Sequence, residues 1–174
     1  MYLNCHSYFS LRYGMLAPEQ LVEGAKERGI DTLVLTDINN TSACFPFAQA
    51  CQQANIKPLL GIEFRRHNQL LYIGIARNWQ GFYELNTFLS RHSIENEPLP
   101  DEAPFLPNTY IVYEFEKAPK PLSEFRDNEL IGIRSDKLTD LYFSEAQKFP
   151  QKLVALSPVT FLNETDFKVH QLLR

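Results

Sequence analysis

The sequence has 174 residues, 44% of them hydrophobic, 13% aromatic and 22% charged, which is the balance of one globular domain and excludes a disordered tail. Seventeen basic residues against twenty-one acidic ones give a net charge of −4. Because the basic residues form no stripe, tight nucleic-acid binding by this segment alone is disfavoured.

The cysteines and the apolar runs indicate the cellular compartment. Cys5, Cys44 and Cys51 form no Cys-x-x-Cys pair, so they are a poor disulfide framework or zinc site and fit a reducing cytoplasm. The chain has neither a secretory signal at its start nor a run of roughly 20 apolar residues anywhere. We therefore expect a cytoplasmic protein with no membrane partner.

Short apolar runs alternate with helix-period segments along the chain. A first strand at Tyr2-Leu3 precedes a helix that begins at Pro18, in the N1 position, and ends before Gly29. Two further helices are predicted at about 42–55 and 80–91, each after a strand. The later strands are predicted at 33–35, 59–62, 71–73, 110–113, 130–133 and 153–156. This alternation is typical of a parallel α/β sheet or barrel.

The C-terminal part of the chain favours one continuous domain. The proline-rich stretch 98–121 predicts a surface connection around one strand rather than a domain boundary, so residues 1–174 are interpreted as a single domain. Asn163 as N-cap and Asp166 in the first turn predict a last helix. No stop signal follows this helix, which indicates a fragment of a longer protein unless the helix simply frays.

Polar residues that follow the strands are the candidates for chemistry. In a parallel sheet, catalytic groups gather at the carboxyl ends of the strands. The residues at these ends are 4–6, 36–38, 63, 76–77 and 157–160. A hydrolytic metal cluster needs about four to six nitrogen or oxygen donors per ion, and only His6, Asp37 and Glu63 qualify.

The stretch 4–14, NCHSYFSLRYG, resembles the opening motif of PHP domains (polymerase and histidinol phosphatase). Within that family, the chain is similar to the PHP domain at the N-terminus of the bacterial DNA polymerase III alpha subunit. This similarity lies in residues 21–29, 35–37, 54–63 and 75–85. Residues 154–173 resemble the end of the same domain, whereas about 95–150 carries little family signal. The resemblance implies a distorted, TIM-like (β/α)7 barrel and, in active relatives, a trinuclear metal site for phosphoester hydrolysis or proofreading.

At the positions matched to this family, most of the metal ligands are replaced. Asn4 stands for the first histidine of His-x-His, Tyr13 for an acidic residue, Ile38 for the histidine after Asp37, Leu71 for a histidine in the fourth strand, and Pro158 and Thr160 for the closing Asp-x-His. Only His6 and Glu63 remain of the matched ligands. Two ligands cannot replace the hydration shell of a cation, so the sequence predicts no catalytic residue, no intact metal site and no cofactor in this domain.

The remaining polar residues have structural interpretations. We interpret His6 as a hydrogen-bonded histidine and Glu63 as an acceptor for Tyr13 or a backbone N–H. Asp37 is either an acceptor that orders its loop or caps a helix, or a catalytic acid. A single zinc on Cys5, His6 and Glu63 is the alternative, although strand alternation places Cys5 on the opposite side from its neighbours.

Trp79, Phe82 and Tyr83 are interpreted as packing of a strand-to-helix corner, and the alternative is an exposed subset that forms a partner surface.

The resemblance implies the function of the whole protein. The full-length chain would be a DNA-directed DNA polymerase, a nucleotidyltransferase of DNA replication, with Mg²⁺ in its polymerase domain. No Asp-x-Asp pair occurs in this sequence, so the segment itself would not extend DNA. Its partners would be the polymerase core of the same chain and a proofreading exonuclease subunit, with DNA reached only through the full-length protein.

Three alternatives remain open from the sequence. The first is an active phosphoesterase or 3′–5′ proofreading exonuclease with a rebuilt zinc or manganese site. The second is a free-standing interaction domain unrelated to replication. The third is an error-prone or otherwise specialised paralogue of the alpha subunit.

Overall fold

The computed structural model describes residues 1–173 and divides into two compact units. Unit 1 comprises residues 1–63 and the stretch from Pro158 onward, and unit 2 comprises Phe64–Ser157. The strands are β1 (Tyr2–Cys5), β2 (Thr32–Leu35), β3 (Lys57–Arg66), β4 (Gln69–Ala76), β5 (Thr109–Glu114), β6 (Glu129–Ile133), β7 (Leu153–Ala155) and β8 (Pro158–Val159). The α-helices are α1 (Pro18–Glu27), α2 (Cys44–Ala54), α3 (Trp79–Glu95), α4 (Leu138–Tyr142) and α5 (Glu164–Leu173).

The strands of unit 1 pair in parallel. β1 pairs with both β2 and β8, and β2 pairs with β3. In this register Cys5 lies beside both Leu35 and Val159, and Leu35 lies beside Leu60. The carboxyl ends of these strands therefore meet at one edge, as the sequence predicts for a parallel sheet.

Helix ends in unit 1 follow the local sequence signals. Pro18 occupies the first turn of α1, and Gly29, with φ of 64°, follows the helix in the left-handed region that glycine tolerates. Before α5, the side-chain oxygen of Asn163 accepts a hydrogen bond from the backbone N–H of Asp166 at 2.9 Å. All three predicted helix ends are confirmed, because capping depends on residues within one turn of the helix.

Unit 2 corrects the expectation of parallel strands. β4 pairs with β5 in antiparallel orientation, whereas β5–β6 and β6–β7 are parallel. Only His67 and Asn68 separate β3 from β4, and no α-helix lies between β5 and β6. A connection of two residues is too short for the crossover helix of a parallel pair. The alternation of strands and helices therefore fails at these two places, where the sequence predicts no helix either.

The predicted α/β class is confirmed, with differences in detail. Each of the seven predicted strands is present, and the additional strand β8 is too short to leave a pattern in the sequence. Helix α3 continues past Arg91 to Glu95 and ends at Asn96, which adopts a left-handed conformation with φ of 54°. The proline-rich connection is not wholly at the surface, because Leu99 and Ala103 are buried.

Aromatic rings form the core of unit 2. Tyr72 lies 5.1 Å from Phe64 and 5.9 Å from Tyr113 between ring centroids, and Tyr113 lies 5.6 Å from Phe125. Edge-on and tilted pairs at these distances add to the free energy gained by burying the rings. Tyr113 and Phe125 belong to the stretch 95–150, in which the family motifs are weak. Their ring contacts show that this stretch is nevertheless part of a packed unit.

Two aromatic residues of α3 do not pack as predicted. Trp79 is 77% exposed and Tyr83 is 53% exposed, and their ring centroids lie 6.2 Å apart. Both are on the outer side of the first helical turns, while Gly81 and Leu85 face inward. The interpretation as corner packing is therefore wrong for Trp79 and Tyr83, which instead form an exposed pair.

Candidate functional site

The carboxyl ends of β1, β2 and β3 bring together the polar residues that the sequence singles out. His6 follows β1, Asp37 follows β2, and Glu63 lies in β3. Backbone hydrogen bonds link these ends: the N–H of Glu63 donates to the carbonyl of Asp37 at 3.1 Å, and the N–H of Thr36 donates to the carbonyl of Cys5 at 2.9 Å. The parallel register therefore places the three segments side by side.

The carboxylate of Glu63 lies at the centre of the cluster. Its Oε2 accepts a hydrogen bond from Nδ2 of Asn4 at 2.6 Å and lies 2.9 Å from Nε2 of His6. All three residues are at most 2% exposed. When the carboxylate of Glu63 is ionised it can only accept, and Nε2 of His6 then carries the donated proton. The prediction of a hydrogen-bonded His6 is confirmed, and Asn4 and His6 are identified as donors to Glu63.

Three buried polar atoms around this cluster have no hydrogen-bond partner among the described residues. They are Oδ1 of Asn4, Nδ1 of His6 and Oγ1 of Thr36. Turning the amide of Asn4 would not help, because its oxygen would then face the carboxylate of Glu63. Buried polar atoms without a partner each cost about 1–3 kcal/mol, so the cluster is incompletely satisfied.

Asp37 organises the loop that follows β1. Its two carboxylate oxygens accept hydrogen bonds from the backbone N–H of Ser7 at 2.7 Å, the hydroxyl of Ser7 at 2.6 Å and the hydroxyl of Ser10 at 2.6 Å. Burial raises the pKa of Asp37 above its ordinary value, and these hydrogen bonds oppose the shift. Of the two structural roles predicted for Asp37, ordering the loop is the one observed. The helix-capping role is not, because the N-cap of α2 is Ala43.

Cys5 is fully buried in β1, and strand alternation predicts that its side chain lies on the opposite side from those of Asn4 and His6. Burial, with the charge of Asp37 as a second cause, raises the pKa of the Cys5 thiol to about 12, and burial likewise raises the pKa of Cys44 to about 12. Both thiols therefore stay protonated near neutral pH while no metal is bound. Within residues 1–173, no group of three or more His, Cys, Asp and Glu side chains is placed to hold a metal ion.

The replaced family positions offer no substitute ligands. In unit 1, Tyr13, Ile38 and Thr160 are half-buried and Pro158 is exposed. Leu71 is buried in β4 of unit 2. These side chains carry no carboxylate or imidazole, so the residues present do not fit a trinuclear metal site.

Two features of the site region were not predicted. Arg77 follows the carboxyl end of β4 but lies beside the amino end of β5, because the two strands are antiparallel and Ala76 pairs with Thr109. Nδ1 of His170 lies 2.8 Å from the carbonyl oxygen of Tyr13, which ties α5 to the loop after β1. No sequence pattern indicates a contact between residues so far apart in the chain.

Comparison with known proteins identifies the family. The sequence model of the PHP domain matches residues 3–149, which includes the middle stretch where the motifs are weak. The chain is 32% identical over 83 residues to the DNA polymerase III alpha subunit of Ureaplasma parvum, covering 48% of this chain and 8% of that protein. It is 29% identical over 145 residues to the PolC-type DNA polymerase III of Thermotoga petrophila, covering 78% of this chain and 11% of that protein.

Among solved structures, an amidohydrolase from Chromobacterium violaceum with bound sulfate and no metal aligns with a TM-score of 0.40 and 22% identity, covering 54% of this chain and 34% of that chain. The chain spans about a tenth of the length of the curated polymerases that it matches. No helix among the described residues is long and apolar enough to cross a membrane. Since the family model covers most of the sequence and the motifs at the strand ends fall within it, the chain belongs to the PHP domain family.

Proposed function

We propose that this chain is the PHP domain of a DNA polymerase III alpha subunit, with a degenerate metal site and a structural, partner-docking role. The similarity to polymerase III chains and the small share of their length support this assignment. DNA synthesis and its Mg²⁺ would then belong to the remainder of the full-length protein. The polymerase core of the same chain and a proofreading exonuclease are the proposed partners, in the cytoplasm.

The hydrogen bonds of Glu63 carry the proposal of a degenerate site. Asn4 directs its amide N–H, which cannot bind a cation, at the one matched carboxylate that remains. Nε2 of His6 lies within hydrogen-bond distance of the same oxygen. A cation at Oε2 of Glu63 would have to compete with both contacts in a buried site. Asp37, the nearest further carboxylate in the motif, already accepts hydrogen bonds from two serines.

The unpartnered atoms favour one alternative function. Oδ1 of Asn4 and Nδ1 of His6 are buried lone pairs without a donor. Both atom types can bind divalent cations, so a Zn²⁺ or Mn²⁺ ion that reached either atom would satisfy it. In that case the chain would be a metal-dependent phosphoesterase or 3′–5′ exonuclease with a rebuilt site.

Metal content distinguishes the two functions. The purified chain is supplied with Mn²⁺ and Zn²⁺, freed of loosely bound ions and analysed by mass spectrometry. Beside it stand the restored variant Asn4→His/Tyr13→Asp/Ile38→His and a matched variant that adds no ligand, Asn4→Ala/Tyr13→Phe/Ile38→Val. We expect fewer than about 0.2 ions per chain in the natural sequence and the matched variant, and more in the restored variant.

One or more tightly held ions in the natural sequence, lost on His6→Ala, would contradict the degenerate site. Hydrolysis of bis(p-nitrophenyl) phosphate that depends on the same ion would then establish the phosphoesterase.

A further inference from the structure

A cavity in unit 2 lies away from the strand ends that carry the PHP motifs. Its volume is about 470 Å³, and it is lined by Arg77, Phe105, Pro107, Tyr110, Arg126, Asp127 and Asn128. This volume is within the range of small-molecule sites, roughly 300–1,000 Å³. No residue of the PHP motif in 4–14 and none of the strand-end candidates other than Arg77 takes part in it.

Arg77 and Tyr110 form the first half of the cavity. Ile75 pairs with Tyr110 across the antiparallel β4–β5 ladder, so Arg77, two residues further along the same face, lies diagonally beside the ring. The guanidinium carbon lies 5.0 Å from the ring centroid. Among residues 1–173, no carboxylate forms an ion pair with Arg77, which is exposed. Its N–H edge is therefore available for an anion, and the ring fixes its plane.

The second half of the cavity repeats this arrangement. The guanidinium of Arg126 lies 5.7 Å from the ring centroid of Phe105, a ring that is 63% exposed. Arg126 is partly neutralised by Glu129 and Glu102, each at 3.4 Å. Asp127 adds an exposed carboxylate for which the described residues supply no ion-pair partner. The cavity thus presents two aromatic rings, one uncompensated guanidinium and one free acceptor.

We infer that this cavity binds a nucleotide, either as a free nucleoside monophosphate or as one unit of a single strand. The phosphate pairs with Arg77, and the base stacks against an exposed aromatic ring. Asp127 accepts a hydrogen bond from a sugar hydroxyl or an N–H of the base. Inorganic phosphate offers no surface that stacks on the rings. A nucleotide is the ligand class that combines an anion, a flat ring and hydrogen-bond donors.

Calorimetric titration of the chain with thymidine 5′-monophosphate tests the inference. Parallel titrations use thymidine, inorganic phosphate, O-phosphotyrosine and the oligonucleotide (dT)12. We expect saturable binding of the monophosphate with a dissociation constant below about 1 mM, and binding of thymidine and of phosphate at least about tenfold weaker. Binding of (dT)12 more than tenfold tighter identifies a strand as the natural source, and equal binding identifies the free nucleotide.

Two variants in the cavity and one outside it connect binding to these residues. Arg77→Gln and Tyr110→Leu should each weaken binding of the monophosphate about tenfold or more. Arg28→Gln, which removes an exposed arginine of unit 1, should leave it unchanged, and thermal unfolding checks that each variant is folded. The inference is wrong if neither the monophosphate nor (dT)12 saturates the chain, if both cavity variants bind normally, or if phosphate or O-phosphotyrosine binds at least as tightly. None of these results depends on metal content. The inference can therefore fail while the proposed function stands, and the reverse.

Discussion

Single buried side chains determine the hydrogen bonding at the strand ends of unit 1. The carboxylate of Glu63 lies in a site where about 1% of the residue is exposed, within hydrogen-bond distance of Asn4 and His6. Buried donors become costly once their acceptor is removed. Polar residues at these strand ends thus form a buried hydrogen-bond cluster.

We expect Glu63→Ala to lower the free energy of unfolding by about 2–4 kcal/mol, because two buried donors lose their acceptor. Urea unfolding followed by circular dichroism measures the loss. The double variant Asn4→Ala/Glu63→Ala should be less destabilised than the sum of the two single variants, since one of the orphaned donors is gone. Strict additivity would contradict the importance of this contact.

Asp37 makes stability depend on pH. Burial raises its pKa in the folded state above the ordinary value of 3.8, so the folded protein binds this proton more tightly than the unfolded chain. The free energy of unfolding should therefore fall as the pH rises from about 4 through the folded-state pKa, and then level off. Asp37→Asn removes the titration and serves as the reference at each pH.

Urea unfolding of both proteins from about pH 4 to about pH 7 tests this dependence. The prediction is wrong if the free energy of unfolding of the natural sequence, relative to that of Asp37→Asn, instead rises with pH. In that case the hydrogen bonds from Ser7 and Ser10 outweigh burial, and the pKa of Asp37 is lowered rather than raised.

At the scale of elements, backbone contacts at helix starts position the segments around the cavity. The first turn of α3 approaches the backbone before β5 closely: a Cβ at Gly81 would lie 2.0 Å from the carbonyl oxygen of Asn108. The side chain of Asn78 caps the same turn by accepting from the N–H of Gly81 at 2.9 Å. The close approach and the cap together hold Arg77 near Tyr110.

Gly81→Ala should destabilise the chain by about 2 kcal/mol or more, although alanine is favoured over glycine inside helices by about 1 kcal/mol. Gly29→Ala is the matched control, because its φ is 64° but no atom lies within 4 Å of the added Cβ. The control should cost about 1 kcal/mol from backbone conformation alone. Thermal or urea unfolding compares them, and a stabilised Gly81→Ala would exclude the close approach.

At the scale of the whole molecule, the charge limits what the chain binds. A net charge of −4 and a pI near 5.6 provide no general attraction for a phosphate backbone. A single nucleotide held by Arg77 is compatible with this charge, because one guanidinium and stacking suffice. Binding along many phosphates is not compatible with this charge.

We expect no saturable binding of a 20-base-pair duplex by up to about 100 µM chain at about 150 mM salt, because non-specific affinity comes from many Lys and Arg contacts to phosphates. Fluorescence anisotropy of the labelled duplex measures this, with (dT)12 as the comparison. Micromolar duplex binding that weakens steeply with salt would show a basic surface that the net charge conceals.

Local patterns of the sequence determined the elements and part of the site. Apolar runs locate the seven longer strands, and Pro18, Gly29 and Asn163 mark helix ends because their effects act within one turn. Strand ends also indicated correctly that His6, Asp37 and Glu63 lie at one edge.

Only the tertiary structure decided which partners these side chains have. The hydrogen bond from Asn4 to Glu63 depends on the parallel register, and the contact of His170 with Tyr13 joins distant parts of the chain. The antiparallel direction of β4, which places Arg77 beside Tyr110, is equally absent from local periodicity. An alternating pattern specifies which face of a strand is buried, whereas pairing direction follows from the total burial and hydrogen bonding of strands that are remote in sequence.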